Sequence, residues 1–227
     1  HCRDVCMFLP APKLMRSYSE AMRHHVEMGH IQKVRAVDMS EYSHVLWKTN
    51  DSQPRNMGRI EQELRSLETA LPLSTSGGSI FVAYDRVRPY VMKALIVGPT
   101  DTPYENGCFE FDVLLPPNYP AAPPKMLLVT TGGGSVRFNA NLYRNGKVCL
   151  SLLGTWSGPG WDPQRSTLLQ VFQSIPWNIM IGEPVAGMCW FNEPGFNSGR
   201  SGPKTEAGKA HSDAYDRQIR RCTMVHA

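Results

Sequence analysis

The sequence predicts an α+β fold: an N-terminal helix, a four-stranded antiparallel meander, an active-site loop and C-terminal helices. Three observations support this order. Apolar residues recur at helical spacing just after residue 56, and four short apolar runs separated by Gly, Pro and Asn follow between residues 80 and 130. Regular periodicity then disappears between Gly132 and Gly160. Long irregular loops in compact domains tend to carry function, so we expect the working residues there.

The first predicted element is an amphipathic helix that begins after Asn56. Its apolar residues alternate at steps of three and four, as one face of a helix requires: Met57, Ile60, Leu64, Leu67 and Leu71. Asn56 is a candidate N-cap because its side chain can accept a hydrogen bond from the first turn. The polar segment 48–54 ends in proline and is typical of a linker. We therefore expect a domain boundary near residue 50, with residues 1–50 as an N-terminal extension of unknown role, partly helical.

The strands are predicted from four apolar runs: 80–84, 91–97, 108–115 and 126–130. In the third run the apolar side chains share one face, whereas Glu110 and Asp112 share the other. This alternation is typical of a half-solvated antiparallel strand, so we expect a polar face open to partners. A second helix is predicted to start near Pro163, and a last one within 205–225.

Composition excludes several classes of protein. The net charge of +4 is spread over 24 basic and 20 acidic residues, which gives no case for a nucleic-acid partner. No apolar run is long enough to span a membrane, and no signal-type segment is present. The six cysteines lie far apart, so we expect reduced thiols in a cytoplasmic or nuclear protein. The chain begins with His1 rather than methionine, so whether it is a piece of a longer polypeptide stays open.

Several sequence words stand in a fixed order along the chain: 103-PYENG-107, 119-YPAAPP-124 and 138-FNANLYRNGKVCLSLL-153. This order resembles the ubiquitin-conjugating enzyme family, and the resemblance implies the ubiquitin-conjugating fold over residues 56–225. The family reads His-Pro where Asn139 and Ala140 stand here. Asn141 and Cys149 keep the eight-residue spacing of the family's catalytic asparagine and cysteine. Several words in the right order are far more specific than one short match.

Four further words carry a closer likeness within the family: 71-LPLSTS-76, 131-TGGGSVRFNANLY-143, 147-KVCLSLLGTW-156 and 191-FNEPGF-196. They resemble the C-terminal conjugating module of the giant apollon-like inhibitor-of-apoptosis hybrid conjugase-ligases, and related plant conjugases. The family's prolines after the third strand also suggest a cis bond within Pro123–Pro124, with an extended turn as the alternative.

The resemblance implies that Cys149 is the nucleophile that carries ubiquitin as a thioester. Such a thiol needs solvent exposure and a thiolate fraction, and we expect the glycine-rich loop to supply the exposure. Asn141 corresponds to the family asparagine, which either stabilises the oxyanion formed when a lysine attacks or pins the loop by hydrogen bonds. Both roles stay open at this point.

The resemblance also implies an acidic gate that helps to deprotonate the incoming lysine. Glu193, within 192-NEP-194, falls where this gate is expected. Pro176 and extra residues before Trp190 depart from the family pattern, so the alignment can slip. Glu183 is then the alternative, and a merely solvated glutamate is the third possibility.

The implied partners are ubiquitin, its activating enzyme, protein substrates, and a ubiquitin ligase or ligase domains of a longer chain. No cofactor and no metal is expected, since ATP is consumed by the activating enzyme. Ordinary docking of ring-type ligases is in doubt, because Ala121 and Gln164 replace the residues that the family usually offers.

Three rival functions compete with that of a conjugating enzyme. A cysteine hydrolase would need a histidine base, but no histidine lies between residues 45 and 210. A non-catalytic scaffold of the same fold would lack the active cysteine, which is present. A conjugase for a ubiquitin-like modifier stays open.

Overall fold

The computed structural model describes residues 32–41, 53–74, 76–180 and 206–227, with the backbone alone described at 41 and 206–212. Five strands are present in the described residues: β1 (Val34–Val37), β2 (Ile80–Asp85), β3 (Val91–Val97), β4 (Cys108–Leu114) and β5 (Lys125–Leu128). The α-helices there are α1 (Met57–Ala70), α2 (Leu168–Ser174) and α3 (Glu206–His226). Short 3-10 turns lie at Met39–Glu41 and Ser151–Leu153, and a π-helical turn spans Ile175–Ile179.

The five strands form one mixed sheet in the order β1-β2-β3-β4-β5. The predicted antiparallel meander is confirmed in β2 to β5. The fifth strand, β1, was not predicted; it comes from the segment assigned to the N-terminal extension and pairs in parallel with β2, Val34 opposite Val82. Parallel neighbours need a long connection. Here that connection contains α1, which contacts β1 at the edge of the sheet.

The predicted first helix and its cap are both confirmed. The Asn56 side chain accepts a hydrogen bond from the backbone N–H of Arg59 at 3.0 Å. At the other end, the ammonium of Lys33 donates to the carbonyl oxygens of Thr69 and Leu71. A cation at this end also complements the helix dipole. The buried face of α1 consists of Ile60, Glu63, Leu64 and Leu67.

The polar face of β4 is not open in the way the alternation predicts. Asp112 is fully buried, and Lys93, only 12% exposed, donates to both Asp112 and Glu110. The strand register explains this, because Lys93 lies directly opposite Asp112 on β3. The expectation of a half-solvated face was therefore wrong at Asp112, where an ion pair replaces solvent.

The second helix starts later than predicted, at Leu168 rather than near Pro163. Residues 163–165 form a turn in which the Asp162 carboxylate accepts the backbone N–H of Gln164. Thr167 then caps the helix through a reciprocal capping box with Gln170. The last helix, α3, lies where it was predicted.

The cis peptide bond occupies a different position from the one suggested. It joins Tyr119 to Pro120, and Pro123–Pro124 is not cis. The predicted helix near the N-terminus lies outside the described residues, and the boundary near residue 50 stays a prediction.

Candidate active site

Cys149 stands at the end of a short hairpin that begins at Asn141. Leu142 faces Val148 in an antiparallel bridge, and the N–H of Tyr143 donates to the carbonyl of Lys147 at 3.0 Å. Gly146 makes the turn at a φ of +84°, where any Cβ would lie 2.6 Å from the carbonyl oxygen of Leu128. Only glycine fits that backbone position. The turn at Asn145 and Gly146 therefore brings the chain back beside Asn141.

The hairpin places the two sequence-predicted residues side by side. The N–H of Cys149 donates to the carbonyl oxygen of Asn141 at 2.9 Å. The side-chain amide of Asn141 donates in turn to the carbonyl oxygen of Cys149 at 2.8 Å. Asn141 and Cys149, which are eight positions apart in the sequence, are therefore in direct contact. This hydrogen bond pins the loop, and the oxyanion role of Asn141 stays a prediction.

The thiol is not exposed as expected. Cys149 is 2% exposed, although the segment around it is rich in glycine and irregular. Glycine content frees the backbone, but it does not decide which side chains the surrounding structure covers. Attack on an external thioester therefore requires the sulfur to become accessible first.

Asn139 is a buried hub beside the candidate pair. Its side-chain oxygen accepts the N–H of Asn141 at 2.8 Å, and its amide donates to the Tyr104 hydroxyl at 2.9 Å and the Ile179 carbonyl at 3.1 Å. The Tyr104 hydroxyl donates to the carbonyl of Phe138 at 3.0 Å. Burial raises the pKa of Tyr104 well above its ordinary value, so it stays neutral.

The replacement of the family's His-Pro by Asn139 and Ala140 is visible in the sequence, but it does not reveal this network. The only available signal was a polar residue inside a motif. Its partners come from segments far away in sequence, and only the folded structure identifies them.

An arginine supports the same segment from outside. Arg137 donates to the carbonyl oxygens of Asn139 at 3.3 Å and Ala140 at 2.7 Å. Its guanidinium carbon lies 3.8 Å from the centre of the Tyr143 ring, which is a cation–π contact. The hydroxyl of Tyr215 on α3 donates to the carbonyl of Arg137 at 3.1 Å. The last helix is thereby linked to the loop.

The loop that follows the hairpin is anchored through Trp161. Its indole N–H donates to the carbonyl oxygen of Pro120 at 2.7 Å. The centre of its ring lies 5.7 Å from the centre of the Tyr119 ring. Ala121 and Gln164, the residues that put ring-ligase docking in doubt, are both exposed. The doubt about ordinary docking of ring-type ligases at these residues stays a prediction.

Both candidates for the gate, Glu193 and Glu183, lie outside the described residues. No cluster of three or more His, Cys, Asp or Glu residues suited to a metal occurs in the part of the chain that the structure describes. Nor is any helix in that part both long and apolar enough to cross a lipid bilayer.

Comparison with known proteins identifies the family. The profile of the family described as ubiquitin-conjugating enzyme matches residues 59–190. The dual E2 ubiquitin-conjugating enzyme/E3 ubiquitin-protein ligase BIRC6 of Homo sapiens is 51% identical over 172 residues, covering 74% of this chain and 3% of that protein. The probable ubiquitin-conjugating enzyme protein 17 of Caenorhabditis elegans is 48% identical over 172 residues, covering 74% of this chain and 22% of that protein. The family resemblance stated from the sequence words is therefore confirmed.

Two further comparisons agree. Human ubiquitin-conjugating enzyme E2 Z is 44% identical over 154 residues, covering 68% of this chain and 40% of that protein. The solved E2 domain of a Toxoplasma gondii ubiquitin-conjugating enzyme superposes with a TM-score of 0.51 at 25% identity, covering 76% of this chain and 99% of that one. The chain thus spans well under two thirds of the length of these curated relatives.

Proposed function

The chain belongs to the ubiquitin-conjugating enzyme family, and from that premise we propose that it accepts ubiquitin from an activating enzyme as a thioester on Cys149 and transfers it to a substrate lysine. One observation carries the proposal: Asn141 and Cys149 contact each other through both backbone and side chain, at 2.9 and 2.8 Å. This contact supports the proposal that the two residues act together.

Loading exchanges one sulfur for another. The Cys149 thiolate attacks the thioester carbonyl of the charged activating enzyme, a new C–S bond forms, and the activating enzyme's cysteine leaves as a thiolate. Because Cys149 is 2% exposed, we expect docking of the charged enzyme to accompany movement that uncovers the sulfur.

Discharge is the step in which Asn141 would act. A lysine amine attacks the thioester carbonyl, and the tetrahedral centre carries negative charge on its oxygen before Cys149 leaves as a thiolate. The amide of Asn141 has two N–H groups, of which one already holds the carbonyl of Cys149. The second has no partner among the described residues and can donate to the oxyanion.

The proton of the attacking lysine must also be removed. An amine with a pKa of about 10.4 is about 99.9% protonated at neutral pH. We assign the acceptor to Glu193, with Glu183 as the alternative, on the family's gate position alone. A carboxylate there would accept the proton or attract the ammonium.

The proposed partners are ubiquitin, its activating enzyme and protein substrates. A relative described as a dual conjugase and ligase supports ligase domains as a further partner. No cofactor is required by this chemistry, because ATP is spent by the activating enzyme. A cytoplasmic or nuclear location remains part of the proposal.

The test is a charging assay with activating enzyme, ATP and ubiquitin. We expect an adduct at Cys149 that a reducing agent removes. Cys149→Ala should form no adduct, and Cys149→Ser either none or a reductant-resistant ester. Cys108→Ser is the matched control, since Cys108 is another free cysteine in the described part of the chain and should leave charging intact. A reducible adduct that persists in Cys149→Ser would contradict the assignment.

A further inference from the structure

We propose that Thr155 is a positioning residue for Cys149. The single hydroxyl of Thr155 holds the backbone on both sides of the nucleophile. The proposal deepens the function proposed above and rests on it. Thr155 lies six residues beyond Cys149, in the exposed loop that follows the hairpin.

The hydroxyl oxygen of Thr155 reaches both neighbours of Cys149. It lies 2.7 Å from the carbonyl oxygen of Val148 and 3.0 Å from the backbone nitrogen of Leu150. A hydroxyl has one proton, so it donates to the closer carbonyl of Val148 and accepts the N–H of Leu150 through a lone pair. The carbonyl of Leu150, at 3.2 Å, is the weaker alternative acceptor.

A compact turn brings Thr155 back to this position. Ser151–Leu153 form a 3-10 turn that ends at Gly154 in the left-handed region, with φ of +67°. The N–H of Thr155 then donates to the carbonyl of Leu150 at 3.1 Å. The backbone bond closes the turn, and the side-chain bonds connect it to the residues on both sides of Cys149.

Thr155 and Asn141 hold different parts of the same tripeptide. Asn141 binds the N–H and the carbonyl of Cys149 itself, whereas Thr155 binds the carbonyl before it and the N–H after it. With these groups fixed, the direction of the sulfur is left to rotation of the Cys149 side chain. Transfer rates depend steeply on the placement of reacting atoms, so a looser backbone should slow attack on the thioester.

Thr155 touches no reacting atom in this arrangement. Its bonds go to the main chain of Val148 and Leu150, which are both buried. It therefore acts through Cys149, and it is a positioning residue rather than a catalytic one. A purely structural role would lower stability and leave the chemistry of the folded protein unchanged.

The test compares two substitutions of Thr155. Thr155→Val keeps the shape but removes the hydroxyl, and Thr155→Ser keeps the hydroxyl. Thr69→Val is the matched control, since the Thr69 hydroxyl makes only a local bond to the carbonyl of Ser66 on an exposed part of α1. Each variant is charged with ubiquitin, and single-turnover discharge to free lysine is followed over a range of lysine concentrations, well below its unfolding temperature.

We expect Thr155→Val to lower the maximal discharge rate about tenfold or more, with little change in the lysine concentration that gives half the maximal rate. Thr155→Ser and Thr69→Val should stay within about twofold of the wild type. A Thr155→Val variant that discharges as fast as the wild type overturns the proposal, and so does a Thr155→Ser variant as slow as Thr155→Val.

A second measurement separates this proposal from the proposed function. Alkylation of Cys149 by iodoacetamide, followed on its own peptide by mass spectrometry, needs neither ubiquitin nor an activating enzyme. Because Cys149 is nearly buried, loosening its backbone should speed alkylation about threefold or more in Thr155→Val but not in Thr155→Ser. If the wild type does not charge, the proposed function fails, and equal alkylation of wild type and Thr155→Val would then overturn the role of Thr155 as well.

Discussion

Two networks of hydrogen bonds can be compared in this protein, one around the buried carboxylate of Glu63 and one around the backbone of Cys149. Glu63 is 5% exposed and Cys149 2%. The Glu63 carboxylate accepts from the Tyr119 hydroxyl, from the guanidinium of Arg59 at 2.8 Å and from the backbone N–H of Leu168 at 2.6 Å. The contacts that hold Cys149, by contrast, are made by neutral groups of Asn141 and Thr155.

The difference lies in what each network joins. Glu63 connects α1 to Tyr119 and to the first turn of α2, which are 56 and 105 residues away in sequence. A carboxylate at a helix N-terminus is also favoured by the helix dipole. The Cys149 network connects residues within eight positions of the nucleophile. We infer that the first network mainly holds the fold together, and that the second mainly sets the chemistry.

The largest expected effect is on stability, from Glu63→Ala. Removing one partner of a buried charge pair leaves Arg59 and the N–H of Leu168 uncompensated, and should lower the free energy of unfolding by about 3–5 kcal/mol. Urea denaturation measures the loss. Glu61→Ala is the control, because Glu61 is exposed and pairs loosely with Arg65 at 3.8 Å, so it should cost less than about 1 kcal/mol. Equal losses of unfolding free energy in the two variants would show that the Glu63 network stabilises the fold no more than an exposed ion pair does.

The next effect is on chemistry, from Asn141→Ala. Discharge to lysine should fall by about 10²–10³-fold, the usual consequence of losing an oxyanion donor, while loading at Cys149 slows less. The rate of loading and the rate of discharge to lysine are measured separately on the same preparation. Equal loss of both rates, together with lower thermal stability, would assign Asn141 to pinning the loop alone.

The gate should have a smaller effect on the same step. Glu193→Ala is expected to slow discharge to free lysine by about 100-fold, the lower end for a general base. Raising the pH should partly restore the rate, because neutral amine then forms without help. Discharge rates between neutral and mildly alkaline pH measure this. If Glu193→Ala behaves as wild type while Glu183→Ala shows the rescue, the gate belongs to Glu183.

The smallest effect concerns the Glu63 network at alkaline pH. Burial, and then the hydrogen bond to Glu63, raise the pKa of Tyr119 well above its ordinary value of about 10. The unfolded chain therefore loses this proton first, so the stabilisation is complete below pH about 10 and is lost as the pH rises further.

Tyr119→Phe should cost about 1 kcal/mol at neutral pH by removing one hydrogen bond, and the gap to the wild type should close above pH about 10. Urea unfolding between neutral and strongly alkaline pH measures both values. A gap that stays constant over this range would mean that Tyr119 contributes by packing rather than through its hydroxyl.

The sequence alone was sufficient for the elements that depend on local pattern. The apolar spacing of α1 and the capping side chain of Asn56 act within a few residues, as do the short apolar runs that form β2 to β5. The family resemblance implied that Asn141 and Cys149 work together, and the structure shows that the short hairpin between them brings the two into contact. Local physics decides each of these features.

Only the tertiary structure decided the rest. The parallel position of β1, the burial of Asp112 under Lys93 and the hub at Asn139 all depend on partners distant in sequence. The burial of Cys149 likewise follows from packing, which residue type does not encode. Periodicity states which side of an element is apolar, but the fold determines which polar groups are enclosed, because a buried polar group is tolerated only where the chain supplies its hydrogen-bond partner.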